Sequence, residues 1–485
     1  MQKKNRGIKD MLDHIVFKYF KEISAIPRGS GNTRGMKEYL VDFARNAGLE
    51  YHTGDDDNVI IIREASKGRE NDEAIILQGH TDMVCAKTIE SEHDFLKDGL
   101  TLEVDGDWLS AKDTTLGGDD GIAVAYMLAL LSEENISLPR IECIFTYDEE
   151  TGMFGANDLD ISPCRGKYLI NLDSEDENVI FIGCAGGTRL EASLPVEEEK
   201  LKGNLISMEI SGLAGGHSGA DIHHNRGNAI LAAGELLRLI SDRGIEYGLL
   251  SIDGGSADNV IPSDARIKLI TDATAETVQE IANSFIKTFV EKHKGSDEGI
   301  EIKVTMEEGQ PLERTVMTKA SRDKLLLLIK NAVNGVLEMN VDIAGLVETS
   351  SNLGLIKINQ NLINMTFLVR SSSNTNKDAV VSVLSTLVNI AGGSSKVTQS
   401  YSGWLTDCNS FLVQRCASLW EKLYNTKPLI TTIHAGLECG IIAGKAPYLD
   451  MVSIGPRMQD IHTSRERLSI SSTIRVYDFL LELLK

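Results

Sequence analysis

Two early stretches, 10–26 and 33–48, repeat apolar residues at intervals of three and four, the period of a helix that buries one face. The pattern then shortens. Residues 58–63 and 74–78 are compact apolar runs of strand length, and 100–110 alternates around Asp105-Gly106 as a hairpin does. Residues 120–132 are again helical in period, followed by apolar runs at 141–147, 167–172 and 179–183. Strands interleaved with helices predict an α/β architecture, a mixed sheet covered by helices. Around Gly186-Gly187 the strands lengthen and alternate in polarity, a habit that persists to about residue 396. Within this stretch a strand (249–254), a loop with Asn259, a strand (265–270) and a helix (275–292) are followed by a second set in the same order: 353–358, a turn at Asn361, 362–370 and 377–390. The recurrence predicts an α+β domain that is internally duplicated. From Cys408 the earlier rhythm resumes, with strands at 428–432 and 448–454 and a closing helix at 472–484. Residues 1–186 and 400–485 are therefore expected to form one α/β domain, interrupted by an α+β insertion at 187–399.

Composition narrows the function classes. A chain of 485 residues exceeds one compact core, and 42 % apolar with 25 % charged residues is ordinary for a globular protein. The formal charge of −22 repels phosphate backbones, so nucleic acid is not an expected partner. The longest apolar stretch, 121–131, is too short for a membrane span, and no signal peptide is visible. Seven cysteines without a CxxC spacing suit reduced thiols in a cytoplasmic protein.

Candidate chemistry sits where the predicted strands end. His80 and Asp82 follow the 74–78 run, Glu149 and Glu150 follow 141–147, and Asp173 follows 167–172. An imidazole two residues from a carboxylate, or two adjacent glutamates, means little alone, since surface carboxylates are usually solvated charge. Their common placement sets them apart, because the C-terminal ends of strands in an α/β sheet open on one edge, where sites form. Asp119 and Asp120 add carboxylates after the Gly117-Gly118 turn, with helix capping as the structural alternative. His462 lies in a polar loop after 448–454, where an isolated histidine is more often a surface residue. Two imidazoles with several carboxylates and no clustered cysteine match the ligands of a two-metal hydrolase.

The motifs Gln78-Gly79-His80-Thr81-Asp82-Met83-Val84, Leu116-Gly117-Gly118-Asp119-Asp120-Gly121, Asp148-Glu149-Glu150-Thr151-Gly152 and Asn171-Leu172-Asp173 resemble the metal motifs of the carnosinase and aminoacylase metallopeptidases. Gly215-Gly216-His217-Ser218-Gly219, Asp258-Asn259-Val260-Ile261-Pro262 and His434-Ala435-Gly436-Leu437-Glu438-Cys439-Gly440 narrow the resemblance to the bacterial aminoacyl-histidine dipeptidases. It spans essentially the whole chain.

The resemblance implies a catalytic domain carrying a lid, and two divalent metal ions, zinc first, with manganese or cobalt as alternatives. Asp119 would bridge the ions, with His80 and Asp173 on one and Glu150 and His462 on the other. Asp82 would orient His80, Glu149 would act as general base, and His217 would reach the substrate carbonyl from its own chain or a neighbour's. Asn259, Arg370 and Gly436 are candidates for holding substrate, although a structural salt bridge is an equal reading of Arg370. A cis peptide between Asp119 and Asp120 is also implied. Asp120 stands where this subgroup often has asparagine. The expected activity is metal-dependent hydrolysis of dipeptides, with Xaa-His favoured, by a protein compatible with a homodimer. A tripeptidase or an N-acyl-amino-acid deacylase of the same family, or a binding protein that keeps the fold, are the alternatives.

Overall fold

The computed structural model describes residues 11–133, 136–307, 311–341, 343, 345–359 and 361–485. The chain forms two compact units. One takes the chain up to Cys184, Trp404–Thr432 and Leu437–Lys485; the other takes Ala185–Gly403 and Ile433–Gly436. These divisions lie a few residues from the 186/187 and 399/400 divisions expected from pattern. The short segment holding His434 and Gly436 groups with the insertion rather than with the residues that flank it.

The first unit is built on a nine-stranded mixed sheet. Four neighbouring strands run parallel, in the spatial order Ile141–Thr146, Ile75–His80, Tyr168–Asn171 and Asp450–Ser453. Their C-terminal ends share one edge. That edge receives Glu149 and Glu150 from the first strand, His80 from the second, Asp173 from the third and the loop toward His462 from the fourth. Antiparallel strands Val59–Arg63 and Val179–Cys184 flank this core.

Helix Gly118–Leu131 is buried along its whole length. Its sequence has no polar face after Asp120, so it lies inside the core rather than on it. Tyr126, the polar exception, stacks on Tyr477 at 6.1 Å and donates its hydroxyl to the Thr473 carbonyl at 2.9 Å. The helix period read from residue 10 meets an observed helix at Ile15–Ser24, capped by His14; residue 10 itself lies outside the described residues. The predicted hairpin is present as Leu102–Asp105 and Trp108–Ala111.

The second unit carries a ten-stranded sheet with the same device twice. In the first half, Glu198–Ser211, Tyr247–Gly254, Ala265–Thr271 and Glu301–Met306 pair antiparallel, with helices Ala229–Asp242 and Ala275–Lys292 in the crossovers. The fourth strand lies beside the first, the first beside the third, and the third beside the second. The second half repeats this order with Gly186–Pro195, Val347–Asn359, Leu362–Ser371 and Ser394–Tyr401, and helices Lys319–Asn331 and Asn374–Ile390. Its first strand precedes the whole first half in sequence, so one half is nested inside the other. The halves join where Asp253 and Gly254 pair with Lys357 and Ile356. Residues 255–264 make a long connection carrying Asn259, whereas the matching turn at Asn361 is tight.

Candidate metal centre

All five expected ligands lie in the first unit, and their ligating atoms converge. His80 Nε2 is 3.1 Å from Asp119 Oδ1 and 3.8 Å from Asp173 Oδ1. His462 Nε2 is 3.0 Å from Asp119 Oδ2 and 3.0 Å from Glu150 Oε1. The two oxygens of Asp119 thus face different imidazoles. Three triplets have ligand atoms within 4.8 Å of one another: His80, Asp119 and Asp173; Asp119, Glu150 and His462; and His80, Glu149 and Glu150.

The loop before helix Gly118–Leu131 places Asp119. Gly117 adopts φ 62°, a left-handed conformation suited to glycine, and the Asp119–Asp120 peptide is cis. Glu466 gathers the loop's amides: its carboxylate accepts from the N–H of Leu116 (2.7 Å), Gly117 (2.9 Å), Gly118 (2.7 Å) and Asp119 (3.3 Å). Buried Arg28 ties the loop to the strand end by donating to the carbonyls of Gly117 (2.5 Å), Thr81 (3.1 Å) and Asp82 (3.2 Å). A Cβ on Gly121 would come within 2.4 Å of Arg28 Nη2, which explains a glycine inside this helix. Asp120 belongs to none of the triplets; its Oδ2 accepts from the His80 amide at 3.2 Å.

Asp82 has two tasks. Its Oδ1 lies 3.3 Å from His80 Nδ1, which orients the ring and leaves Nε2 for a ligand. It also accepts from the amides of Glu149 (3.0 Å) and Glu150 (3.4 Å) and from Ser30 Oγ (2.7 Å), fixing the peptide between the two glutamates. The sequence pointed to the first task and not to the second.

Electrostatics tests whether cations fit here. Burial is the largest influence on Glu149, Glu150 and Asp173, and pushes each carboxyl above its ordinary range, with neighbouring carboxylates adding to it and His80 opposing. Burial also works against ionising Asp119, yet hydrogen bonds from His462 and His80 hold it well below the carboxylate range. Burial would lower His462, but its bonds to Asp119 and Glu150 carry it up to about 11. Buried carboxylates so arranged demand positive charge between them. Carboxylate and imidazole donors without sulfur suit hard-to-borderline divalent cations. The residues present fit two such ions.

The remaining candidates lie in the second unit. His217 Nδ1 accepts from the amides of Gly219 (3.3 Å) and Ala220 (3.0 Å), so the ring proton belongs on Nε2 and makes that atom a donor. Gly216, at φ 119°, lets Arg226 come close; a Cβ there would be 1.9 Å from Arg226 Nη1. Asn259 offers its backbone carbonyl to the Ser218 amide at 2.8 Å. Arg370 is buried, donates to the Tyr401 hydroxyl at 3.1 Å and forms no ion pair among the described residues. His434, bonded to Ser350 Oγ at 2.7 Å, is pushed down to about 3 by burial and then by the charges of Arg370, His217 and His223. Gly436 lies in the same short segment. Arg28 and Glu466 escaped sequence reading, because each is a single charged residue far from its partners with no motif of its own.

The sequence profile of the Peptidase dimerisation domain matches residues 208–298. The chain is 35 % identical over 473 residues, 96 % of each protein, to the cytosol non-specific dipeptidase of Escherichia coli (strain K12). Its fold is similar to that of the aminoacylhistidine dipeptidase from Vibrio alginolyticus, with a TM-score of 0.82, 31 % identity and coverage of 100 % of this chain and 99 % of that one. The M20 family metallo-carboxypeptidase from Sulfolobus solfataricus, at 14 % identity, shares the fold alone, with a TM-score of 0.56 and coverage of 97 % and 98 %.

Proposed function

The chain belongs to the M20 family of metallopeptidases, and on that premise we propose that it hydrolyses dipeptides with a free amino terminus at a dinuclear metal centre. The observation that carries this reading is the Asp119 carboxylate, whose two oxygens face His80 and His462 separately. His80, Asp119 and Asp173 would hold one ion, and Asp119, Glu150 and His462 the other. Zinc is the first choice, with manganese or cobalt favoured if the extra carboxylate of Asp120 alters preference. The ions would supply the positive charge that acidifies water and polarises the peptide carbonyl.

The chain's own residues then divide the work. Glu149, half-buried beside Glu150, takes the proton of the attacking water on its carboxylate and returns it to the leaving amine. Asp82 keeps the His80 ring and the Glu149–Glu150 peptide in place. His217, with its proton on Nε2, is the proposed donor to the developing oxyanion. Arg370, unpaired with any described carboxylate, is the proposed partner of the substrate carboxylate, and its planar fork matches such a group. Asn259 and Gly436 are assigned to the substrate as well. Histidine at the second position is among the favoured residues, in line with the name of the Vibrio relative; the Escherichia coli relative is named non-specific.

We further assign the protein to the cytoplasm, following the cytosolic relative; no described helix is long and apolar enough to cross a membrane. A homodimer is the proposed assembly, after the name of the matching domain, and sedimentation would test it.

The substrate assignment is tested by comparing alanyl-histidine, β-alanyl-histidine, other dipeptides, N-acetylated dipeptides, tripeptides and tetrapeptides on metal-loaded enzyme. Dipeptides with free amino termini should be cleaved fastest. Faster cleavage of tripeptides or acetylated substrates would replace the dipeptidase reading by the tripeptidase or deacylase one, and indifference to histidine would remove only the narrower preference.

A further inference from the structure

A second polar layer lies next to the ligand cluster and has no part in the chemistry above. Gln78, Thr146 and Asn171 occupy three adjacent parallel strands and precede His80, Glu149 and Asp173 by two or three residues. In the strand register Gln78 faces Asn171, and His80 faces Thr146. All three side chains are fully buried, in the middle of a sheet where apolar residues are the rule. Two of them meet on one acid, and the third joins through Gln78. Gln78 Nε2 donates to Glu438 Oε2 at 2.5 Å, Thr146 Oγ1 donates to the same oxygen at 2.7 Å, and Asn171 Nδ2 donates to Gln78 Oε1 at 2.7 Å.

Glu438 is itself fully buried, and it begins helix Glu438–Lys445, where a negative charge is favoured. Among the described residues its Oε1 has no hydrogen-bond partner, and none of their lysines, arginines or histidines forms an ion pair with it. A buried carboxylate without a cation is expensive, and an apolar side chain of similar volume would pack the same place at lower cost. Stability alone therefore does not account for an acid here. What the acid adds is a shared acceptor that reinforces the direct but long Gln78 Nε2–Thr146 Oγ1 contact of 3.3 Å between two strands, at the level where each delivers a ligand. Metal sites depend on such support, since ligands displaced by a fraction of an ångström bind poorly.

We propose that Glu438 is a positioning residue whose carboxylate fastens two parallel strand ends through Gln78 and Thr146, with the Asn171 strand attached through Gln78, and so sets the spacing of His80, the Glu149–Glu150 pair and Asp173 for two divalent ions. This rests on the reading of the cluster as a dinuclear centre.

The test measures Zn2+ affinity by competition with a chelating dye, alongside the thermal midpoint of the metal-free protein, for wild type, Glu438→Ala, Glu438→Gln and Thr146→Val. The glutamine amide oxygen accepts the same two hydrogen bonds, so Glu438→Gln keeps the link while exchanging the charge for a neutral amide whose NH2 takes the place of Oε1. Glu438→Ala should weaken Zn2+ binding by about 10-fold to 100-fold. Glu438→Gln should restore affinity to near the wild-type value, and Thr146→Val, lacking one of the two donors, should fall between them. A lowered midpoint in Glu438→Ala with unchanged Zn2+ affinity would make the network merely structural and overturn the inference. Equal weakening by Glu438→Gln and Glu438→Ala would assign the effect to charge and overturn it too. Should Glu438→Ala not fold, the glutamine and valine variants carry the same comparison. Wild-type protein that takes up no Zn2+ would instead defeat the dinuclear reading itself.

Discussion

Glu149 and Glu150 are consecutive and both group with His80, yet only Glu150 also faces His462, at 3.0 Å. Asp82, accepting from both amides, holds this divergence in place. Their substitution should therefore have different consequences. Glu149→Ala is expected to lose about 10²-fold to 10⁴-fold in kcat and retain its metal, as for other acid–base groups. Glu150→Ala is expected to lose metal first. Activity assays paired with metal analysis check both, and exchanged phenotypes would reverse the assigned roles. Gly121→Ala probes packing instead: the added Cβ would stand 2.4 Å from Arg28 Nη2, so a loss of about 1–3 kcal/mol in urea unfolding is expected. At this scale six of the seven candidates for the centre and its immediate support stood out because each follows a strand end or a glycine turn, whereas His462, in a polar loop, was singled out by the family resemblance. Arg28, Glu466 and the linking role of Glu438 were not. Glu466 bonds to amides nearly 350 positions away, and local sequence has no means of expressing such a pairing.

Elements that carry function here are conspicuous for what their sequences lack. Helix Gly118–Leu131 has no polar face beyond its opening aspartates, which announces burial, and the four parallel strands are mostly apolar for the same reason, apart from polar residues such as Gln78, Thr146 and Asn171 near their C-terminal ends. Strand length and helix period were thus recoverable from pattern. The non-helical angles at Asp119 and Asp120, on the other hand, depend on a loop fastened by Glu466 from outside. Removing that fastening should be felt at Asp119. Glu466→Ala is expected to cost about 1–3 kcal/mol through the unsatisfied amides and to weaken metal binding, read by unfolding and by metal titration. Full metal affinity in this variant would mean that the loop holds its form unaided.

For the molecule as a whole, the expected stoichiometry is two divalent ions per chain, checked by metal analysis of dialysed protein. Saturation at one ion would leave Asp119 as an ordinary ligand. Chelation should abolish activity, and added Zn2+ or Mn2+ should restore it. The duplicated insertion was visible in the sequence as a repeated element order, but not its nesting, since the first strand of the second half is separated from its fellows by the entire first half.

That nesting has a genetic consequence. In an assembly of identical subunits, one mutation is installed at every equivalent position at once, and neither copy can specialise without the other. Here both halves are spelled out separately in one reading frame. The Gly215–Gly219 turn with His217 belongs to one half and Arg370 to the other. Selection is therefore free to refine the His217 turn and Arg370 independently, and the halves of this insertion should diverge from each other faster than the pairing of Tyr247–Gly254 with Val347–Asn359 that keeps them together.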